Sequence, residues 1–209
     1  AQQQFCNVLV KHNILPSVGH SDATYEQLLP AFEAGCTLVT HLYSCTSTIT
    51  RDHGFRRLGV IETAYLLDDM YVEIICDGKH LPPDLIKMII KIKGTDKVAL
   101  ITDSLEIAGT DIKEGVMSGT EFIVEDGVCK LKDRSAFAGS VATADKLILT
   151  LVKDCGYSIP TAVKAYTEIP AKILGINKGE IQKGKDADII VFDENICVTD
   201  IFVGGIKKK

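Results

Sequence analysis

The sequence has no Walker-type phosphate loop, no G-x-G-x-x-G turn and no G-x-S-x-G elbow. These absences remove the commonest nucleotide-binding, dinucleotide-binding and serine-hydrolase readings, because each of those chemistries needs its own glycine-built turn. No run of 18 apolar residues and no signal-peptide pattern occurs, so neither a membrane span nor a membrane partner is expected. Basic charge is scarce and scattered. Lys and Arg number 23 against 28 Asp and Glu, a net charge of −5, and the one basic cluster is Lys207-Lys208-Lys209 at the end. Nucleic-acid binding needs clustered cations for phosphate contacts, so no nucleic-acid partner is expected. The seven cysteines are odd in number, widely spaced and without a C-x-x-C pair. That pattern suits reduced thiols in a cytoplasmic protein better than a disulfide framework. No initiator Met stands before Ala1-Gln2-Gln3-Gln4-Phe5, and ordered-looking sequence follows at once. The expectation is a chain whose first half is missing.

Apolar residues make up 46% of the 209, enough for a substantial core. From residue 15 to residue 102 the pattern alternates between short Val/Ile/Leu runs and helical segments. Strands are expected near 15–20, 36–42, 71–76 and 97–102, and helices over 24–34, 57–67 and 83–93, after the end of a first helix at 5–12. Near-continuous apolar strands alternating with helices are the pattern of a parallel sheet covered by helices. Four such units are half of a (β/α)₈ barrel.

After Asp103 the rhythm changes. Residues 115–131 read as a β-hairpin turning at Glu125-Asp126-Gly127. Residues 135–140 read as a loop of small residues, and helices are expected over 141–154, over 159–168 and from Pro170 to Gly175. Three short strands, at 179–181, 187–192 and 201–203, complete the chain. The expected organisation is a partial barrel over 1–178 and strands of a small β-sandwich over 179–209.

The chemistry-bearing residues fall at strand ends. The first strand ends at Gly19-His20-Ser21-Asp22, the second at Thr40-His41-Leu42-Tyr43 and the fourth at Ile101-Thr102-Asp103-Ser104. A barrel gathers such ends on its C-terminal face. A lone histidine near a strand end is as often structural as functional. Two at equivalent ends favour metal ligands, and a catalytic zinc takes about three protein ligands plus water, so a third must come from elsewhere. Asp103 is either a cap on the following turn or a general base and acid beside the metal. His80, after Asp77-Gly78-Lys79, is either a satisfied loop residue or a contact for a substrate anion. Arg56 and Arg57 are either a solvated helix start or a fork for phosphate.

These motifs, with Arg56-Arg57-Leu58-Gly59-Val60, Phe137-Ala138-Gly139-Ser140 and Ala187-Asp188-Ile189-Ile190-Val191, carry a resemblance. The chain resembles the amidohydrolase superfamily, and within it the N-acetylglucosamine-6-phosphate deacetylases, in motif order and over almost its whole length. The resemblance implies the C-terminal half of a metal-dependent hydrolase barrel of α/β class with part of a small β-sandwich. It implies a catalytic divalent metal, zinc or iron, held by His20 and His41, with Asp103 as the acid and base of amide cleavage. Arg56 and His80 would hold the phosphate of a phosphorylated amino sugar, across a homodimer interface in some relatives, and Phe137 and Ala138 would contact the sugar. Ser44 and Cys45 stand where the family has Asn-Ala, near the phosphate. The family's further metal ligand, a glutamate, lies on an earlier strand than this chain contains. Two other readings are another amidohydrolase, acting on a related acetylated sugar or a cyclic amide, and a non-catalytic fragment that self-associates.

Overall fold

The computed structural model describes residues 2–209. In chain order, helix α1 (Gln2–Lys11) leads to strand β1 (Ser17–Val18), helix α2 (Tyr25–Glu33) and strand β2 (Leu38–Val39). A hairpin of β3 (Thr50–Asp52) and β4 (Phe55–Arg57) precedes α3 (Val60–Leu66), β5 (Tyr71–Ile75), α4 (Pro83–Lys93) and β6 (Val98–Ile101). Strands β1, β2, β5 and β6 form one parallel sheet in that order. The α/β alternation expected over 15–102 is therefore present, with strands shorter than the apolar runs suggest.

The helix boundaries have local causes. At the start of α2 the Gln27 side chain accepts a hydrogen bond of 2.9 Å from the Thr24 N–H, which supplies a partner that the first helical turn lacks. Gly35, at φ 99°, follows the end of that helix. Helix α4 opens on Pro83, where a missing N–H costs nothing, and ends at Gly94 at φ 77°. Helix α3 starts at Val60, three residues later than the expected 57, because 50–57 is a hairpin and not a plain loop. Gly59 fixes the start: a Cβ there would sit 2.5 Å from the Ser47 carbonyl oxygen, so only glycine lets the two backbones approach.

Beyond β6 comes an antiparallel sheet of four strands, β7 (Glu114–Met117), β8 (Thr120–Glu125), β9 (Val128–Leu131) and β10 (Phe137–Gly139), in the order β10-β9-β8-β7. The turn at Asp126-Gly127 lies where the sequence places it, with both residues at positive φ as a tight hairpin requires. The expected small-residue loop is instead strand β10. Helix α5 (Ala144–Leu149) starts later than the expected 141 because Ser140 is still bridged to Ser104, and it runs on as a π-helical turn over Thr150–Asp154. Helices α6 (Ile159–Tyr166) and α7 (Glu168–Leu174) follow. Helix α7 opens at Glu168, two residues before the expected Pro170. Pro170 is tolerated because it lies in the first turn, where N–H groups have no partner within the helix. The last strands are β11 (Ile189–Phe192), β12 (Val198–Val203) and β13 (Ile206–Lys207). Residues 179–181, expected as a strand, are not one.

One core holds the parallel sheet to its helices. Val39, Val72, Ile74 and Leu100 of the sheet pack with Ile86 and Ile89 of α4 and with Leu147 and Leu151. Lys93 is buried in this layer and its Nζ donates to the carbonyls of Ala64 and Leu67, both at 2.8 Å, closing the end of α3. Burial, and then the charge of Lys97, push its pKa below the usual lysine value. Replacing it takes that partner from the buried Ala64 carbonyl, while the Leu67 carbonyl keeps the Met70 N–H at 3.0 Å. Lys93→Met is expected to lower stability by about 1–3 kcal/mol, read as a lower denaturant midpoint at unchanged slope; an unchanged midpoint would show that the cap contributes nothing.

Candidate metal-hydrolase site

The parallel register sets the site. Each of the four strands is followed, two residues beyond its last residue, by a potential ligand or acid: His20 after Val18, His41 after Val39, Asp77 after Ile75 and Asp103 after Ile101. His20 and His41 meet with ring centroids 4.8 Å apart and planes inclined by 34°. His41 is buried, while His20 and Asp103 are exposed. All three have positive φ, 47° for His20, 32° for His41 and 47° for Asp103. Such conformations are uncommon for residues with a Cβ and persist only where surrounding structure enforces them, which happens most often at functional sites.

Two segments hold the strand ends in place. Ser47 joins the loops after β1 and β2: its N–H donates to the Ser21 carbonyl at 2.9 Å and its Oγ to the Ala23 carbonyl at 2.7 Å. The same Oγ accepts from the Val60 N–H at 2.9 Å, which ties in α3. On the other side Ser104 is bridged in parallel to Ser140, and the Leu105 N–H donates to the Ser140 carbonyl at 2.9 Å. This brings the segment after β10 alongside the end of β6, next to Asp103.

The histidine pair fits part of a metal site. Nδ1 of His41 is buried and has no hydrogen-bond partner. An unpaired buried polar atom is costly, and a metal ion would use its lone pair. Imidazole nitrogens suit zinc and iron. Among the described residues, however, no group of three or more His, Cys, Asp or Glu side chains is placed to hold a metal. The pair supplies two ligands where a catalytic zinc takes about three.

Glu73 and Asp77 are acids near these strand ends that the sequence reading did not assign. Glu73 sits on β5, where the backbone N–H of Leu42 donates to its carbonyl at 2.8 Å. Burial, followed by the charge of Asp103, raises the pKa of its carboxyl, and the His41 N–H opposes that rise. A carboxylate in an otherwise Val/Ile strand is the sequence signal that could have found it. Asp77 stands at the position that His20, His41 and Asp103 occupy on the other strands. Its Oδ2 lies 2.7 Å from Nδ1 of His80.

The remaining assigned residues divide into two groups. Phe137 meets His80, with ring centroids 5.0 Å apart in an edge-on arrangement. Ala138 packs beside it against the small cluster of Ile107, Phe122 and Cys129. Arg56 lies elsewhere, on the exposed strand β4, with Nη1 donating to the Gly54 carbonyl at 3.0 Å. Its neighbour Arg57 is paired with Asp52 at 3.2 Å and lies 3.8 Å from Glu26. Neither arginine starts a helix, as the sequence had suggested, because both are strand residues of the hairpin. Ser44 stands three residues after His41, with its N–H donating to the His41 carbonyl at 2.8 Å, and Cys45 is exposed at φ 50°. All seven cysteines are free thiols. Among the described residues no helix is long and apolar enough to cross a membrane.

A parallel sheet whose strand ends carry His, His and Asp over a covered core defines an amidohydrolase-type α/β fold. The chain belongs to the amidohydrolase family, whose model matches residues 11–208. It is 34% identical over 200 residues to N-acetylglucosamine-6-phosphate deacetylase of Haemophilus influenzae, covering 94% of this chain and 51% of that protein. It is 29% identical over 198 residues to N-acetylgalactosamine-6-phosphate deacetylase of a Shewanella species, covering 94% of this chain and 49% of the relative. Among solved structures, N-acetylglucosamine-6-phosphate deacetylase from Pasteurella multocida superposes with a TM-score of 0.90 at 30% identity, covering 99% of this chain and 53% of that one. The chain thus spans about half the length of the curated relatives it matches.

Proposed function

We propose that this chain is the C-terminal half of a metal-dependent deacetylase that hydrolyses the N-acetyl amide of N-acetylglucosamine 6-phosphate, in the breakdown of amino sugars. The observation that carries this reading is the meeting of His20 and His41 at adjacent strand ends, on strained backbone, in a chain similar to deacetylases of that substrate. Residues 1–178 are read as four of the units of a (β/α)₈ barrel with its inserted sheet, and 179–209 as strands of a small β-sandwich.

His20 and His41 would hold the ion, zinc or iron, with a further ligand from outside the pair. A bound divalent metal polarises a carbonyl and lowers the pKa of water from about 15.7 to about 7. The protein's own work then falls to Asp103. Its carboxylate takes the proton from the water that attacks the acetyl carbon. It then hands that proton to the amide nitrogen as the C–N bond breaks, so that acetate and glucosamine 6-phosphate leave. His80 and Arg56 are the groups read as phosphate contacts, with Ser44 and Cys45 close to the phosphate and Phe137 and Ala138 against the sugar. The second reading is the C4-epimeric substrate, favoured by the similarity to an N-acetylgalactosamine-6-phosphate deacetylase.

The test is acetate release from both epimers in the presence of zinc, by this chain completed with the N-terminal half of the enzyme and by the same assembly carrying Asp103→Asn. Turnover by the wild type and a loss of about 10²–10⁴-fold in the variant, with unchanged circular dichroism, is expected; near-wild-type turnover in the variant would remove Asp103 from the mechanism.

Self-association belongs to the same reading. Strand β1 pairs only with β2 among the described residues, and Phe5 and Val8 of α1 are 64% and 55% exposed. An open strand edge beside exposed apolar side chains is a surface that a second chain covers. Light scattering at micromolar concentration is expected to give a dimer mass; a strictly monomeric species would contradict it.

A further inference from the structure

We propose that the antiparallel sheet β7–β10 is a lid, a separately cored unit that swings on a two-stranded neck beside Asp103 and carries Phe137 onto a bound amino-sugar phosphate. The proposal rests on the reading of Phe137 and His80 as substrate contacts. The motion itself follows from how the sheet is packed.

The sheet has a core of its own. Ile107, Phe122 and Cys129 are buried together, with Met117 and Val124 against them. Among the described residues, none from 101 to 141 enters the apolar core that joins the parallel sheet to its helices. The antiparallel sheet is therefore not held by shared core packing. Units joined in this way move relative to one another by default, unless a large apolar interface locks them.

The chain enters and leaves the sheet at one point. Ser104 is bridged to Ser140, the Leu105 N–H donates to the Ser140 carbonyl at 2.9 Å, and the Ser104 hydroxyl donates to the Ala142 carbonyl. These bonds join the two stems to each other and fix the end next to Asp103. Just beyond them stands Gly139 at φ 151°, where a Cβ would lie 2.8 Å from the Leu105 side chain. The stems pass this closely only because one of them is glycine. Gly109, at φ 76°, stands on the other stem. Small residues at the ends of elements often absorb hinge motions.

The side of the sheet that faces the parallel strand ends is open. Phe137 meets the His80 ring edge-on at 5.0 Å. Nearby is a cavity of about 470 Å³, lined by Asp77 and Lys79 of the turn after β5, by Gly127 of the β8–β9 turn and by Val141 and Ala142 of the neck. Atoms that face open space forfeit dispersion contacts, so this side is weakly held. A sugar phosphate that touches both Phe137 and His80 supplies contacts that only the closed position makes, and so selects it. Closure keeps bulk water from Asp103, and reopening releases product.

Strand β7 lies three strands from β10, about 14 Å at ordinary strand spacing, so it travels furthest when the neck bends. The test is the distance between spin labels at Val116 of β7 and Met88 of α4, both exposed and outside the site. The labels are attached through ketone-bearing amino acids, because Cys45 and Cys197 are exposed thiols. The protein is this chain completed with the N-terminal half of the enzyme and loaded with zinc, and the probe is glucosamine 6-phosphate. In the free enzyme two distance populations are expected. Saturating probe is expected to leave one of them, displaced by more than about 2 Å from the other. A control pair at Met88 and the exposed Leu66 of α3 is expected to stay constant. One narrow Val116–Met88 distance, unchanged by a probe that calorimetry shows to be bound, would overturn the lid. A shift of the control pair as large as that of the sheet would also overturn it. If calorimetry finds no binding, the substrate reading falls and the free enzyme decides the lid alone: two populations keep it, and one narrow population removes it.

Discussion

The parallel register of four short strands is the constraint from which the site follows. Leu38 lies opposite Ser17 and Tyr71, and Val72 lies opposite both Val39 and Val98. With the strands locked in that register, the residues just past their ends are delivered side by side. The apolar layer of Val39, Val72, Ile74 and Leu100 against α4 holds the register, because a slip by one residue would turn those side chains out of the core. Packing and chemistry are therefore coupled through strand alignment, and the polar ends depend on the apolar layer behind them.

Backbone strain is concentrated where that delivery happens. His20, His41 and Asp103 each take a left-handed conformation, at a cost of about 1–3 kcal/mol apiece. The surrounding bonds show what enforces it. Ser47 braces the first two strand ends, and the Ser104–Ser140 bridge braces the last. The antiparallel sheet between β6 and α5 has a place in this arrangement, since its final strand leads directly into the segment that runs beside Asp103.

The parts legible in the sequence were those with a periodic or positional signal. The apolar runs marked all four parallel strands, and their polar ends marked His20, His41 and Asp103 without any need for long-range contacts. Pro83 marked the start of α4 by local backbone chemistry. What could not be read depended on partners distant in sequence. The hairpin that carries Arg56 has no apolar alternation, since all six of its strand residues are exposed, so nothing in its pattern separates it from a loop. Gly59 sets the start of α3 only because Ser47 lies against it. Glu73 reads as an anomaly in a strand until His41 and Asp103 are placed around it. Asp77 and His80 were visible as one motif, but the 2.7 Å contact between their side chains was not.

The central claim is that His20 and His41 are ligands of one divalent ion. X-ray absorption at the zinc edge, on protein loaded with one equivalent of zinc, tests it without reference to turnover. Two imidazole ligands at about 2.0–2.1 Å are expected, falling to one in either His20→Ala or His41→Ala. A zinc environment without histidine scattering, or one that neither substitution alters, would contradict the claim.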